Sequence, residues 1–319
     1  MQIETITAPW EATLSQSEHL LIGYFLVIAG LALFAAVLRT WTTRTEVGSR
    51  YRTATVARLT ITSVAFASYV ILITQFVTGY DRIGSEWLPN SSAILTFAAR
   101  YMDWSVTVPL LAIGLLSLTT LDGARLRRTT FLAAGGAFLM IFTGFLGAFV
   151  IGDGEDLTQL ILWGAISCVF WAFTTLVLIR AVRSSLPDLT GESARYLRTA
   201  TVLLLAGWVV YPVVYVIPIF AFGGAWTTAI QVALTAADVV VKIGFITLIH
   251  RVAKLRTAED VRAGRDVHPE SIWISSIKQS DAGSPREVFL ADGASAHRRR
   301  AAPPTSSAVA STIEEADAP

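Results

Sequence analysis

Apolar residues come in seven long runs, at about 18–39, 53–78, 92–119, 130–151, 157–180, 198–222 and 226–254. Each is long enough to cross a hydrocarbon core of ~30 Å, which takes about 20 helical residues. A helix satisfies all its backbone groups within one segment. The alternation of a barrel strand is missing from every run. The pattern therefore predicts an all-α bundle of seven transmembrane helices over residues 18–255, after a polar segment at 1–17. The remainder, 256–319, holds Arg298-Arg299-Arg300, Pro303-Pro304 and a Ser/Thr/Ala-rich end with no long apolar period, and reads as a mostly disordered tail. One apolar patch in it, Ser271 to Ile277 with Ile272, Trp273 and Ile274, offers a place for local docking. No basic leader and no small-residue cleavage site precede the first run, so a removable signal peptide is not expected and the first span serves as its own insertion signal.

Composition agrees. Of 319 residues 53% are hydrophobic and 15% charged, against about 25% charged in soluble domains, and the mean hydropathy is +0.57. Charges are uneven: 32 of the first 256 residues carry one, against 17 of the last 63. The net charge of +1 supplies no basic field for nucleic acid. A single cysteine, Cys168, excludes an intrachain disulfide and a Cys-based zinc cluster, and His19, His250, His268 and His297 show no ligand spacing.

Loop charge gives an orientation. Odd loops carry Arg39, Arg44, Arg50 and Arg52; then Arg125, Arg127 and Arg128; then Arg180, Arg183, Arg195 and Arg198. Even loops carry Arg82 beside Asp81 and Glu86, then Asp153, Glu155 and Asp156, then no charge. The odd loops are expected in the cytoplasm of a cell whose inner membrane the chain crosses, with the N-terminus outside and the tail inside.

Ionisable groups within a bilayer are costly and are functional candidates by default. Four lie deep: Arg100 and Asp103 in the third span, Asp238 and Lys242 in the seventh. Arg58 and Glu18 sit near span ends, where they can snorkel. Asp238 and Lys242 are four apart, and Arg100, Asp103 and Thr107 recur at i, i+3 and i+7, so each set shares one helix face. The bland reading is a salt-bridge cluster that fixes helix packing, a role in which buried charges do poorly. Aromatics favour chemistry: Trp104 follows Asp103, Trp208, Tyr211 and Tyr215 recur on the sixth span beside Pro212, Trp163 and Trp171 flank the middle of the fifth, and Tyr69 lies in the second. A deep lysine ringed by aromatics suits a long apolar aldehyde held as a Schiff base, whose protonated form needs a carboxylate beside it.

These residues resemble the microbial rhodopsin family. The third span reads Arg100-Tyr101-Met102-Asp103-Trp104-Ser105-Val106-Thr107-Val108-Pro109-Leu110-Leu111, similar to R-Y-x-D-W-x-x-T-x-P-L-L. The seventh reads Asp238-Val239-Val240-Val241-Lys242-Ile243-Gly244-Phe245, like D-x-x-x-K-x-G-F, and the sixth supplies Trp208-Val209-Val210-Tyr211-Pro212, like W-x-x-Y-P. The resemblance spans about 18–255 and says nothing of the tail. It implies all-trans retinal on Lys242, with Asp103 as primary counterion and proton acceptor, Asp238 as second counterion and Arg100 extracellular to both. Trp104, Tyr69, Trp208, Tyr211, Tyr215, Ser167 and Trp171 would surround the chromophore, and Thr107 would hydrogen-bond Asp103. Leu111 matches a ring-contact position where leucine favours green absorption over blue.

Departures from the family pattern are informative. Eleven residues after Asp103, about 16 Å along a helix, many outward pumps carry a carboxylic proton donor; here stands Gly114. The triplet Asp103, Thr107, Gly114 resembles the Asp-Thr-Gly subgroup of proton-pumping rhodopsins. With no other acid in the cytoplasmic half of a span, reprotonation is expected from solvent. Glycine leaves room for water or simply permits close helix packing. Phe220 and Ile230 stand near where archaeal pumps keep release carboxylates, Ser68 precedes Tyr69 where bacterial relatives often hold a histidine, and no span interior is expected to hold one. Gly164 follows Trp163, where a glycine opens a window for a carotenoid antenna in some bacterial relatives, although plain packing is the commoner explanation. The resemblance thus implies a light-driven outward proton pump, a transporter and not an enzyme. Its partners would be retinal, protons, the lipid bilayer and copies of itself in a trimer or pentamer. Aspartate at 103 argues against inward chloride pumping and against the sodium-pump pattern of Asn and Gln. The alternative is a photosensory rhodopsin signalling through a transducer or its C-terminal tail.

Overall fold

The computed structural model describes residues 6–265 and two short strands, Val288–Phe289 and Ser295–Ala296. The apolar patch at 271–277 lies outside the described residues. Eight helices build the bundle: α1 (Gln16–Thr42), α2 (Arg52–Thr78), α3 (Leu95–Leu116), α4 (Gly123–Phe145), α5 (Leu157–Ser185), α6 (Gly191–Trp208), α7 (Val210–Phe220) and α8 (Gly224–Arg262). They pack as a ring in chain order, and α8 closes it against α1. Six spans are long and apolar enough to cross a membrane, with α6 and α7 together forming one of them. The seventh, α3, has 22 residues and carries Arg100 and Asp103 on its buried face. Leu20, Leu31, Phe131, Val169 and Val240 stand exposed on the outside of the bundle, as lipid-facing side chains must.

Local chemistry sets the ends. Ser15 and Glu18 form a capping box at the start of α1: the Glu18 backbone N–H donates to Ser15 Oγ and the Ser15 N–H to Glu18 Oε2. Asp156 and Thr190 cap α5 and α6 through the backbone N–H groups of Gln159 and Ser193. The sixth apolar run divides at Val209. Pro212 has no N–H to donate to the carbonyl one turn back and its ring crowds that carbonyl, which is sufficient cause for the break.

Two outcomes differ from the sequence reading. First, a small antiparallel sheet accompanies the helices: β1 (Leu14–Ser15) pairs with β3 (Glu86–Pro89), which pairs with β2 (Tyr80–Ile83). It ties the N-terminal segment to the α2–α3 connection and is too short to show as alternation. Second, α8 runs past residue 255 to Arg262, with Arg256, Thr257, Ala258 and Asp260 buried. Arg256 donates to the main-chain carbonyls of Leu118 and Thr119 at 2.8 and 3.0 Å. Tyr51 donates to Asp260 at 2.8 Å, and Thr190 and Ser193 both donate to Glu259 at 2.6 Å. This extension is polar, so hydropathy hides it, yet it binds the α1–α2, α3–α4 and α5–α6 connections together.

Candidate functional site

Helix α3 turns Arg100, Asp103, Trp104 and Thr107 inward, and α8 turns Gln231, Thr235, Asp238 and Lys242 inward. All eight are buried to 4% exposure or less. The Lys242 ammonium lies in direct contact with the Asp103 carboxylate and 3.2 Å from Asp238 Oδ1. Arg100 Nη1 stands 3.6 Å from Asp238 Oδ2. Two cations and two anions therefore balance in a buried space. This is the condition under which buried charge is tolerable, and removing one partner typically costs about 3–5 kcal/mol.

Asp238 is fully used. Its Oδ1 accepts from Trp104 Nε1 at 3.0 Å and Tyr211 at 3.1 Å, and its Oδ2 from Tyr69 at 3.1 Å. Asp103 is not: its Oδ1 is buried with no partner among the described residues. A buried carboxylate with a free oxygen beside an ammonium has room to accept a proton. Thr107 does not donate to that oxygen. Its hydroxyl goes to the Asp103 main-chain carbonyl at 3.0 Å, one turn back in the same helix, so the expected bond to the carboxyl is replaced by a local one.

Arg100 is held by residues absent from the motif reading. Its Nη2 donates to Gln231 Oε1 and Thr235 Oγ1, both at 2.8 Å, and its Nη1 to Tyr69 at 3.3 Å. The signal was present: Gln231, Thr235, Asp238 and Lys242 recur at i, i+4, i+7 and i+11, one polar stripe down an apolar helix.

Beside the charges lies a cavity of about 230 Å³ between α3, α4, α5, α6 and α7. Trp104, Trp208, Tyr211, Tyr215, Trp171 and Ser167 all line it. Trp104 and Tyr211 touch both the cavity and Asp238, meeting edge-on at 4.8 Å between ring centroids. Tyr215 donates to the Leu160 carbonyl at 3.1 Å and Ser167 to the Met140 carbonyl at 2.7 Å. The walls are apolar and aromatic, as an elongated apolar ligand needs; Lys242 does not line the cavity itself and adjoins it through Trp104 and Tyr211, which donate to Asp238 beside the Lys242 amine. Leu111 sits in the main core and does not line the cavity.

The bare Cα of Gly164 is already in use. A Cβ there would meet the Tyr215 ring at 2.7 Å, so this glycine serves the approach of α7 to α5. Gly114 differs from it: an added Cβ would meet Ile249, Ala57 and Phe245 at 3.4–3.9 Å, ordinary contact, so no close helix approach demands a glycine there.

At the end of the bundle bearing the N-terminal segment, a smaller cavity of about 80 Å³ runs from Arg100 to Ile6, Pro9, Trp10 and Gly154. Slight burial and the nearby Glu155 raise the Glu11 carboxyl above its ordinary range at that rim. At the opposite end, two sequence expectations fail. Arg58 is buried (2% exposed) and does not snorkel, and α8 does hold an interior histidine, His250 (7%). Arg58 Nη1 and His250 Nδ1 are 2.6 Å apart, and His250 Nε2 is 3.2 Å from Glu46 Oε2.

Residues 17–255 match the family model described as bacteriorhodopsin-like protein. Cruxrhodopsin-3 of Haloarcula vallismortis is 28% identical over 209 residues, covering 65% of this chain and 79% of its own. Bacteriorhodopsin-I of Haloarcula marismortui is 27% identical, covering 74% and 90%. Among solved structures, xanthorhodopsin, described as a light-driven ion pump with dual chromophore, superposes with a TM-score of 0.69 at 25% identity, over 78% of this chain and 98% of its own. A thermophilic rhodopsin gives 0.70 at 24%, with the same coverage. The bundle, the three motifs and these matches agree: the chain belongs to the bacteriorhodopsin-like family, and is a multi-pass membrane protein of the microbial rhodopsin kind whose cofactor is retinal.

Proposed function

We propose that this chain is a light-driven outward proton pump of the Asp103, Thr107, Gly114 type, with retinal carried on Lys242. The observation that carries the reading is the contact of Lys242 with Asp103, an acceptor with one free oxygen, backed by Asp238 and Arg100. When bound, retinal supplies absorption of visible light and a light-driven change of geometry at the lysine nitrogen.

The protein's part follows from the geometry. Lys242 holds the proton at its nitrogen. Asp103 Oδ2, in contact with that nitrogen, receives it. Asp238 is held in place by Tyr69, Trp104 and Tyr211, which all donate to its carboxylate oxygens. Arg100, held by Asp238, Gln231 and Thr235, faces the cavity that leads toward Trp10, and its positive charge favours proton departure on that side. The excess of arginine on the odd loops supports reading that side as the outside of the cell. Gly114, packed by Ile249 and Phe245, supplies no carboxylic donor for reloading.

Vesicles containing the purified, retinal-loaded protein test this. Illumination is expected to change the lumenal pH in wild type and not in Asp103→Asn. A photosensory protein signalling through a transducer or the tail would give a photocycle without net proton transfer, and that result would replace the pump by the sensor.

A further inference from the structure

The reloading proton must cross from the cytoplasmic end to Lys242, and the helix interiors on that side are apolar. Phe245, Ile246 and Ile249 on α8, Leu111 on α3, and Ala57 and Ile61 on α2 are all buried there. Above this layer sits one imidazole. His250 is eight residues beyond Lys242 on α8, about 12 Å along the axis, and is 7% exposed.

Its surroundings fix its state. Arg58, from α2, can only donate, so His250 Nδ1 accepts at 2.6 Å. The ring hydrogen is then on Nε2, which donates to Glu46 Oε2 at 3.2 Å. Glu46, in the α1–α2 connection, also accepts from Lys254 at 2.7 Å. Burial pushes the Glu46 carboxyl up, but Lys254 and His250 outweigh it and hold it below the ordinary range. Arg39 of α1 completes the charged surroundings, donating to Thr247 on α8. The imidazole is therefore neutral at rest, capped by a guanidinium at the nitrogen that would bind a second proton, and aimed at a carboxylate on the cytoplasmic rim.

We propose that His250 is the proton-reloading group of the pump, with Glu46 its cytoplasmic partner and Arg58 its gate. When Arg58 leaves Nδ1, the ring binds a proton from cytoplasmic water and becomes an imidazolium paired with Glu46. It then passes that proton to the Lys242 nitrogen, about 12 Å away, through water admitted when the layer of Phe245 and Ile249 parts, and Arg58 returns to the neutral ring. One proton enters and one leaves the ring. The inference rests on the outward-pump reading. It also replaces the expectation of reprotonation directly from solvent.

The test is the late, proton-uptake phase of the photocycle in the full-length, retinal-loaded protein, followed against pH in wild type, His250→Gln and Glu46→Gln. Wild type is expected to be nearly flat around neutral pH, because Lys242 takes its proton from the ring and not from bulk solvent. In His250→Gln the rate should drop by about tenfold or more near neutral pH, fall in proportion to proton concentration, and return with azide as a mobile proton carrier. Glu46→Gln should move the wild-type profile without abolishing its flat part. A purely structural role for the cluster predicts slower decay by one factor at every pH and no azide rescue. That outcome, or an unchanged profile in His250→Gln, overturns the proposal while leaving the pump intact. A wild type that moves no protons in light overturns the pump reading and this inference with it.

Discussion

Lys242 is the residue on which the account turns. Lys242→Ala is expected to abolish visible absorption after incubation with retinal; a variant that keeps the pigment would remove the tether from this position. The four deep charges were legible because an apolar helix makes each charged residue conspicuous, and their spacing already put them on shared faces. What they touch was less legible. Thr107 bonds its own helix backbone, and that choice depends on rotamer and register, which spacing does not encode. His250 and Glu46 were hidden for another reason: they are 204 residues apart and meet only when α8 closes the ring. Glycines behave similarly. A Cβ on Gly207 would run into Val241, the neighbour of Lys242, so α6 approaches α8 through that bare Cα. Gly207→Ala is expected to lower stability by about 1–3 kcal/mol and to shift the absorption maximum, which a thermal melt followed at the pigment band would show; an unaltered melt and spectrum would contradict the packing argument.

At the scale of elements, the last helix was read too short because its cytoplasmic extension is polar. The residues that lengthen it are anchors. Arg256→Ala leaves the Leu118 and Thr119 carbonyls without their donor in a buried place, and a loss of about 1–3 kcal/mol is expected, measurable by thermal unfolding in detergent. Glu46 makes a pH-dependent contribution. Its carboxyl sits below the ordinary value in the folded protein, with Lys254 and His250 as the lowering partners, so its stabilisation is complete above the normal carboxylate range and fades as pH falls through it. Wild type should therefore melt above Glu46→Gln at neutral pH, with the gap closing in acid; a gap that widened in acid would reverse the assigned sign. The division of the sixth span at Val209 follows from Pro212, which the sequence displays openly, yet a proline marks a break only where neighbouring helices leave room for it.

For the molecule as a whole, the seven spans were readable from hydropathy, because the bilayer imposes length and satisfaction rules that soluble folds lack; their ends were not, since α4 begins at Gly123 and α8 continues to Arg262. The cavity among α3 to α7 was not readable, since its walls come from five helices and its volume depends on how they tilt. The two polar ends differ across it: at one Arg100 faces a cavity lined by Trp10, and at the other Arg58 covers His250. In the proposed pump Lys242 gives its proton to Asp103 and the end at Trp10 is the exit. That direction is the proposal's most exposed claim. The measurement is the pH of an unbuffered suspension of cells carrying the chain and supplied with retinal. On illumination the medium should acidify, the signal should vanish with a protonophore, and Asp103→Asn should give none; alkalinisation of the medium, or a steady pH from a pigmented wild type, would contradict the account.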